Sequence, residues 1–316
     1  MPALPLGVNN GVITGYGTAL PPTVITNDDL AKRMDTSDEW IRERTGILSR
    51  HVGGMTSDLS IQSARKAMEM AGVDPSEIDG LVLATTTPDR TVPATSATVQ
   101  NALGIRCGSF DVNAACSGFV YALVVAHGLL ALGARKLLVI GTDTLARITD
   151  WEDRNTAILF ADGSAAVVLE ASERGGQLLS WNLDADGAAE QFLYCDIGGF
   201  IKMDGKEVFR RAVRIMTDSA EKSMSDAGLS SNDIAMVIPH QANIRIIKAA
   251  CERLGIPEDR TATVLHYTGN TSSASIPLAL VDALESGRIN KGDNVLLVGF
   301  GAGMTAASAI LKWGGQ

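Results

Sequence analysis

Short apolar runs alternate along this chain with longer amphipathic or alanine-rich stretches. Gly80–Ala84, Ser109–Asn113 and Lys136–Gly141 have the length of strands, and Ser96–Leu103 and Gly118–Leu132 between them suit helices. This alternation predicts α/β layers in which a mostly parallel sheet is covered by helices. Thr56–Ala71 predicts a further helix, because Leu59, Ala64, Ala67 and Met68 recur near helical spacing and Gly72 stands where a C-terminal cap belongs.

The second half repeats the first in outline. Ala71–Ile78 followed by the run Gly80–Ala84 is echoed by Ala227–Ile234 followed by Ala235–Pro239. Leu103-Gly-Ile105, a strand and then Cys116 are answered by Leu254-Gly-Ile256, a strand and then Asn270, and Lys136–Gly141 by Asn294–Gly299. The preserved order predicts a duplicated domain, with halves at 1–175 and 176–316. Loops after equivalent strands would then face one cavity between the halves. Those loops carry Thr85–Thr87 and Cys116 from the first half, and His240, Asn270 and Phe300–Gly303 from the second.

Composition narrows the chemistry. A net charge of -9 argues against general nucleic-acid binding while leaving room for a local basic patch. No run approaches the ~20 apolar residues of a membrane helix, and Met1–Asn10 lacks the basic start and apolar centre of a secretory leader. A cytoplasmic protein away from membranes is expected. The 4 cysteines form no C-x-x-C pair and the 4 histidines no i, i+4 pair, so reduced thiols and no metal or resident cofactor are expected.

Three residues then stand out. Cys116 follows a short strand and precedes the apolar segment Phe119–Leu132, which places it at a helix N-terminus where free N–H groups and the helix dipole favour a thiolate. His240 ends the run Met236–Pro239, and Asn270 lies in the turn-rich loop Tyr267–Ser273. Singly, these are an ordinary core cysteine, a capping histidine and a turn asparagine. Brought to one cavity, they would place a histidine and an asparagine beside a cysteine nucleophile. The Gly299–Gly303 loop lacks the Lys-Ser/Thr ending of a phosphate-binding loop, which excludes nucleotide binding there.

The motifs Asn113-Ala-Ala-Cys-Ser-Gly118, His240-Gln-Ala-Asn243, Gly269-Asn-Thr-Ser272 and Gly299-Phe-Gly-Ala-Gly303 occur in that order. With Asp35–Ile41, Arg44–Ile47, Asp153–Thr156 and Phe160–Gly163, they resemble the ketoacyl-ACP synthase III enzymes of the thiolase superfamily over essentially the whole chain. The resemblance implies a five-layered α-β-α-β-α fold, a homodimer and a Cys116-His240-Asn270 triad. It also implies a decarboxylative condensation of an acyl-CoA starter with malonyl-ACP that gives 3-ketoacyl-ACP, CO2 and CoA and initiates fatty acid synthesis. CoA thioester and carrier phosphopantetheine are then substrates. By the same resemblance, backbone N–H groups of Cys116 and Ala302 form the oxyanion hole. Trp40 and Arg154 sandwich the adenine of CoA, Arg44 helps at the mouth, and Asn243 lines the pantetheine tunnel. Arg210 and Arg245 dock the acyl carrier protein, with Arg211 and Arg214 beside them. Phe300 lines the acyl pocket, and Val92 gates it from across the dimer.

Some positions depart from that pattern. Glu252 stands where the family often has Lys, and Met304 where some relatives carry an aromatic or Leu. Val92 is smaller than the aromatic of acetyl-selective members, so a longer or branched starter is expected. A polyketide starter synthase or acyltransferase of the same family is the alternative. A degradative thiolase would need a second cysteine in the late glycine-rich loop, and residues 299–305 contain none.

Overall fold

The apolar runs form two mixed β-sheets in the computed structural model of the chain, which describes residues 11–172 and 176–315. In the first sheet are β1 (Gly11–Ala19), β2 (Gly80–Ala84), β3 (Gly108–Val112), β4 (Lys136–Thr144) and β5 (Asp162–Ala171). The second holds β6 (Gln177–Asp184), β7 (Met236–Pro239), β8 (Asn294–Gly301) and β9 (Thr305–Lys312). The strand orders are β1-β5-β4-β2-β3 and β6-β9-β8-β7. Pairing repeats as well: β2–β4 and β7–β8 are parallel, while β4–β5, β8–β9, β1–β5 and β6–β9 are antiparallel. The counterpart of β3 is a single parallel bridge between Val237 and Thr261. The two sheets are therefore one design used twice.

The mostly parallel sheets expected from the sequence are not what forms. Only the neighbours of β2 and β7 run parallel, because β8 returns into β9 through the tight turn Ala302–Met304, and a short connection of that kind joins antiparallel strands. The chain passes from one sheet to the other between Ala171 and Gln177. The expected boundary at residue 175, and the reading of Met1–Asn10, lie outside the described residues.

Strand alternation builds the layers. Val82, Ala84, Leu137 and Val139 face a core shared with the inner residues of the second sheet, whereas Leu81, Leu83, Leu138 and Ile140 face outward. Two helices fill the shared core, α4 (Gly118–Ala131) and α7 (Ser275–Glu285). Helix α4 has no charged residue, as a helix enclosed by sheets on both sides requires. Outside the first sheet lie α2 (Thr56–Ala71), ended by Gly72 at φ 65°, and α3 (Thr95–Ala102). Outside the second lie α5 (Gly205–Asp226) and α6 (Ile244–Leu254). The order is α-β-α-β-α, with a short helix α1 (Asp38–Thr45) carrying Trp40 at one end. Among the described residues no helix is long and apolar enough to cross a membrane.

Candidate active site

Cys116 sits in the tight turn Ala115–Ser117 between β3 and α4. Ala115 adopts φ 48°, a left-handed conformation costly for a residue with a Cβ, and this kink seats the cysteine at the N-terminus of α4. Its side chain is buried. Burial pushes the thiol up to about 12, the Ser272 hydroxyl opposes the rise, and the charge of Asp143 adds to it. The positive end of α4 acts in favour of the anion. The two influences oppose one another at the sulfur, burial favouring the thiol and the helix terminus the thiolate.

His240 caps the end of β7, where its backbone N–H donates to Val298 O at 2.8 Å. The imidazole is buried, meets Phe300 edge-on at 5.4 Å, and has Nδ1 2.6 Å from Ser275 Oγ. Burial holds its pKa down at about 3, so the ring is neutral at physiological pH. Gln241 locks this strand end. Its Nε2 donates to Pro239 O at 2.7 Å and Ala262 O at 3.2 Å, and its Oε1 accepts from the N–H groups of Val264 at 2.9 Å and Leu265 at 3.2 Å.

Asn270 is held on both sides of its peptide: its N–H donates to Leu159 O and its carbonyl accepts from Ala161 N–H, each at 2.9 Å. Its Oδ1 accepts from Ser272 N–H at 3.0 Å, so the Nδ2 hydrogens are what it offers a ligand. The loop is moored to the other half through Asp143, a fully buried carboxylate. Asp143 Oδ2 accepts from Ser273 N at 3.0 Å and Ser273 Oγ at 2.7 Å. Its Oδ1 accepts from Thr85 Oγ1 at 3.0 Å and from the N–H and hydroxyl groups of Thr86 and Thr87 at 2.7–3.1 Å. One carboxylate thus ties the Thr85–Thr87 loop to the Asn270 loop.

Two cavities meet at Cys116. A channel of about 520 Å³ brings Cys116, His240, Asn270 and Phe300 together and continues past Asn243, Arg245 and Arg44. A second cavity of about 880 Å³ is lined by Thr86–Thr91, Leu145, Ile148, Leu193–Gly198, Ser272 and Ala302 as well as Cys116. Phe300, expected in the acyl pocket, lines the channel and packs against His240. The reason is strand alternation, which turns Phe300 toward the outer core of the second sheet. Val92 lines neither cavity of its own chain and is 80% exposed.

The remaining expected residues lie around the channel mouth. Trp40 has the Arg44 guanidinium 4.6 Å from its ring centroid and that of Arg154 at 4.9 Å. Arg154 also donates to Asp35 O at 2.8 Å. A ring between Trp40 and Arg154 needs roughly 7 Å, twice the carbon contact distance, so the sandwich is closed here and Arg154 must swing aside to admit one. Asn243 caps α6 through Arg245 N–H at 2.9 Å and donates from Nδ2 to Arg44 O at 2.9 Å, which joins α6 to α1. Arg245 lies over the Phe209 ring at 5.4 Å, and Arg210 is paired with Glu207 at 2.7 Å on an exposed helix face.

Ser275, Gln241 and Asp143 were not singled out from the sequence. Gln241 left a trace there only as a member of the motif His240–Asn243, and Asp143 as a charged residue just past an apolar run.

Comparison with known proteins agrees with this geometry. Residues 110–187 match a family model described as 3-Oxoacyl-[acyl-carrier-protein (ACP)] synthase III, and residues 224–313 match that family's C-terminal model. The chain is 47% identical over 325 aligned positions to the beta-ketoacyl-[acyl-carrier-protein] synthase III of Roseiflexus castenholzii, covering 96% of this chain and 98% of the relative. It is 48% identical to the enzyme of that name from Erythrobacter litoralis, covering 95% and 98%. The crystal structure of 3-oxoacyl-[acyl-carrier-protein] synthase III from Aquifex aeolicus superposes with a TM-score of 0.94 at 41% identity, covering 96% of this chain and 100% of that one.

Proposed function

The chain belongs to the 3-oxoacyl-[acyl-carrier-protein] synthase III family, and on that premise we propose that it is a condensing acyltransferase that joins an acyl-CoA starter to malonyl-ACP at the start of fatty acid synthesis. The observation that carries this reading is the meeting of two cavities at one cysteine, with His240 and Asn270 on the channel side only.

The channel suits a pantetheine arm, and the second cavity suits the acyl chain that arm delivers. Cys116 sulfur attacks the thioester carbonyl of acyl-CoA; the tetrahedral oxyanion takes hydrogen bonds from the backbone N–H groups of Cys116 and Ala302. Collapse breaks the bond to CoA sulfur, which leaves with the thiol proton. Each such donor is worth about 10²–10³ in rate. Malonyl-ACP then enters the vacated channel. Its carboxylate carbon departs as CO2, and the electron pair left behind becomes an enolate whose oxygen is met by neutral His240 and by Asn270 Nδ2. The enolate carbon attacks the acyl-Cys116 carbonyl, and the sulfur leaves as a thiolate that takes up one proton from solvent. The products are 3-ketoacyl-ACP, CO2 and CoA.

Trp40, Arg44 and Arg154 hold the adenine end of CoA, and Arg210 and Arg245 meet the acidic carrier. The enzyme acts in the cytoplasm as a homodimer, in which the exposed Val92 of one copy reaches the acyl pocket of the other. No resident cofactor or metal takes part. The test is incubation with a panel of acyl-CoAs and malonyl-ACP, following CO2 and carrier-bound product. A 3-ketoacyl-ACP two carbons longer than the starter is expected. Transfer of the acyl group to another acceptor without CO2 release would overturn the assignment in favour of an acyltransferase.

A further inference from the structure

We infer that Ser275 is a positioning residue that fixes His240 as the Nε2–H tautomer, so that this imidazole serves as a hydrogen-bond donor to the enolate and not as the base for Cys116. The inference rests on the condensing reading above only for its kinetic consequence. The tautomer itself follows from hydrogen-bond accounting around one hydroxyl.

Ser275 is fully buried at the first turn of α7. Its Oγ lies 2.6 Å from His240 Nδ1 and also accepts the backbone N–H of Gln241 at 3.3 Å. That N–H cannot turn away, because the Gln241 side chain is clamped by bonds to Pro239, Ala262, Val264 and Leu265. Among the described residues, the Ser275 hydroxyl has no acceptor other than His240 Nδ1. If Nδ1 carried the proton, Ser275 Oγ would receive two donors and its own hydrogen would be buried without a partner, an arrangement folded proteins avoid. The satisfied arrangement runs from Gln241 N–H to Ser275 Oγ and from Ser275 O–H to His240 Nδ1. The ring proton is then on Nε2, the nitrogen left for the channel.

The two half-reactions should consequently depend on Ser275 differently. An Nε2–H imidazole gives one hydrogen bond to an oxygen that becomes an enolate, and it has no lone pair at Nε2 to accept the Cys116 proton. Acyl loading depends on the helix terminus and the oxyanion hole, while decarboxylation depends on the tautomer. Phe300, edge-on to the ring, and Ser275 together leave the imidazole a single orientation.

The test is the nitrogen spectrum of histidine-labelled protein, in which 4 imidazoles are few enough to assign by comparison with His240→Asn. Wild type should show His240 as the Nε2–H form. Ser275→Ala should mix the tautomers and slow condensation on the order of 10- to 100-fold while acyl loading from acyl-CoA stays within about twofold, and Ser275→Thr should restore much of the loss. An Nδ1–H form in the wild type would overturn the inference, as would equal slowing of both half-reactions in a folded Ser275→Ala. Should that variant not fold, the wild-type spectrum decides alone. The spectrum needs no turnover, so failure of the tautomer and failure of the condensing assignment are told apart.

Discussion

Gly301 and Cys116 meet backbone to backbone: a Cβ at Gly301 would stand 2.6 Å from the Cys116 nitrogen and 2.9 Å from Ala115 Cβ. Gly301 is extended at φ -157°, so its glycine is required by closeness and not by backbone angle. The late glycine-rich turn of one half thus presses against the nucleophile turn of the other, and in the proposed cycle this contact sets the distance between the Cys116 and Ala302 N–H groups. Gly301→Ala should displace that turn by a sizeable fraction of an ångström and cost about 1–3 kcal/mol of stability. Acyl loading should fall about 100-fold, as expected for misplaced reacting groups. Thermal melting and single-turnover loading check this; an unchanged loading rate would show that the contact is not needed for the site.

Protonation supplies a second expectation. A histidine of the unfolded chain takes its proton near 6.5, whereas His240 stays neutral down to about 3. Between those values the unfolded state binds more protons, so His240 removes stability as pH falls. Asp162 acts in the opposite sense: burial raises it from 3.8 to about 6, so its contribution is present below its unfolded value and is lost as pH rises through 6. Melting temperature should therefore fall less steeply below pH 6.5 for His240→Asn than for wild type, and parallel curves would contradict the assignment.

The strands and the enclosed helix were legible because their chemistry is local. Leu81–Ala84 is apolar at every position, as a strand buried on both faces must be, and α4 is apolar all round. The antiparallel strand β9 was not legible, since its direction follows from the turn Ala302–Met304 and not from its own residues. The predicted end of β4 at Gly141 fell short of Thr144 because Asp143, polar but fully buried, interrupts the apolar pattern. In the site, Cys116 and His240 announced themselves just past strands, and Asn270 within a turn-rich loop. Ser275 and Asp143 act through contacts 35 residues away to His240 and 130 residues away to Ser273, which no local pattern encodes.

Trp40, with the Arg44 and Arg154 guanidiniums 4.6 Å and 4.9 Å from its ring centroid, is the proposed adenine contact of CoA. Trp40→Ala removes a stacking surface worth ~1–3 kcal/mol per base. KM for acyl-CoA should rise about tenfold with kcat nearly unchanged, the pattern of lost uniform binding. An acyl-pantetheine donor, which has no adenine, should be insensitive to the substitution. Equal effects on both donors would assign Trp40 to packing instead.

In the proposed dimer, Val92, which is 80% exposed and outside its own chain's cavities, controls starter length from the neighbouring copy. Val92→Phe should lower kcat/KM for longer or branched starters by about tenfold while sparing acetyl, in line with the cost of one badly fitted methylene or more. An unaltered chain-length profile would remove Val92 from the acyl pocket.

Labour is divided in the proposed cycle: Cys116 carries the acyl group and His240 with Asn270 serves decarboxylation. Intact-protein mass spectrometry of wild type, Cys116→Ser, His240→Ala and Asn270→Ala tests it directly, each incubated with acyl-CoA and then with malonyl-ACP. Wild type should gain an acyl adduct that malonyl-ACP discharges; Cys116→Ser should gain none. His240→Ala and Asn270→Ala should load the acyl group and retain it after malonyl-ACP is added. Loss of loading in those two variants, or discharge at the wild-type rate, would contradict this division of roles.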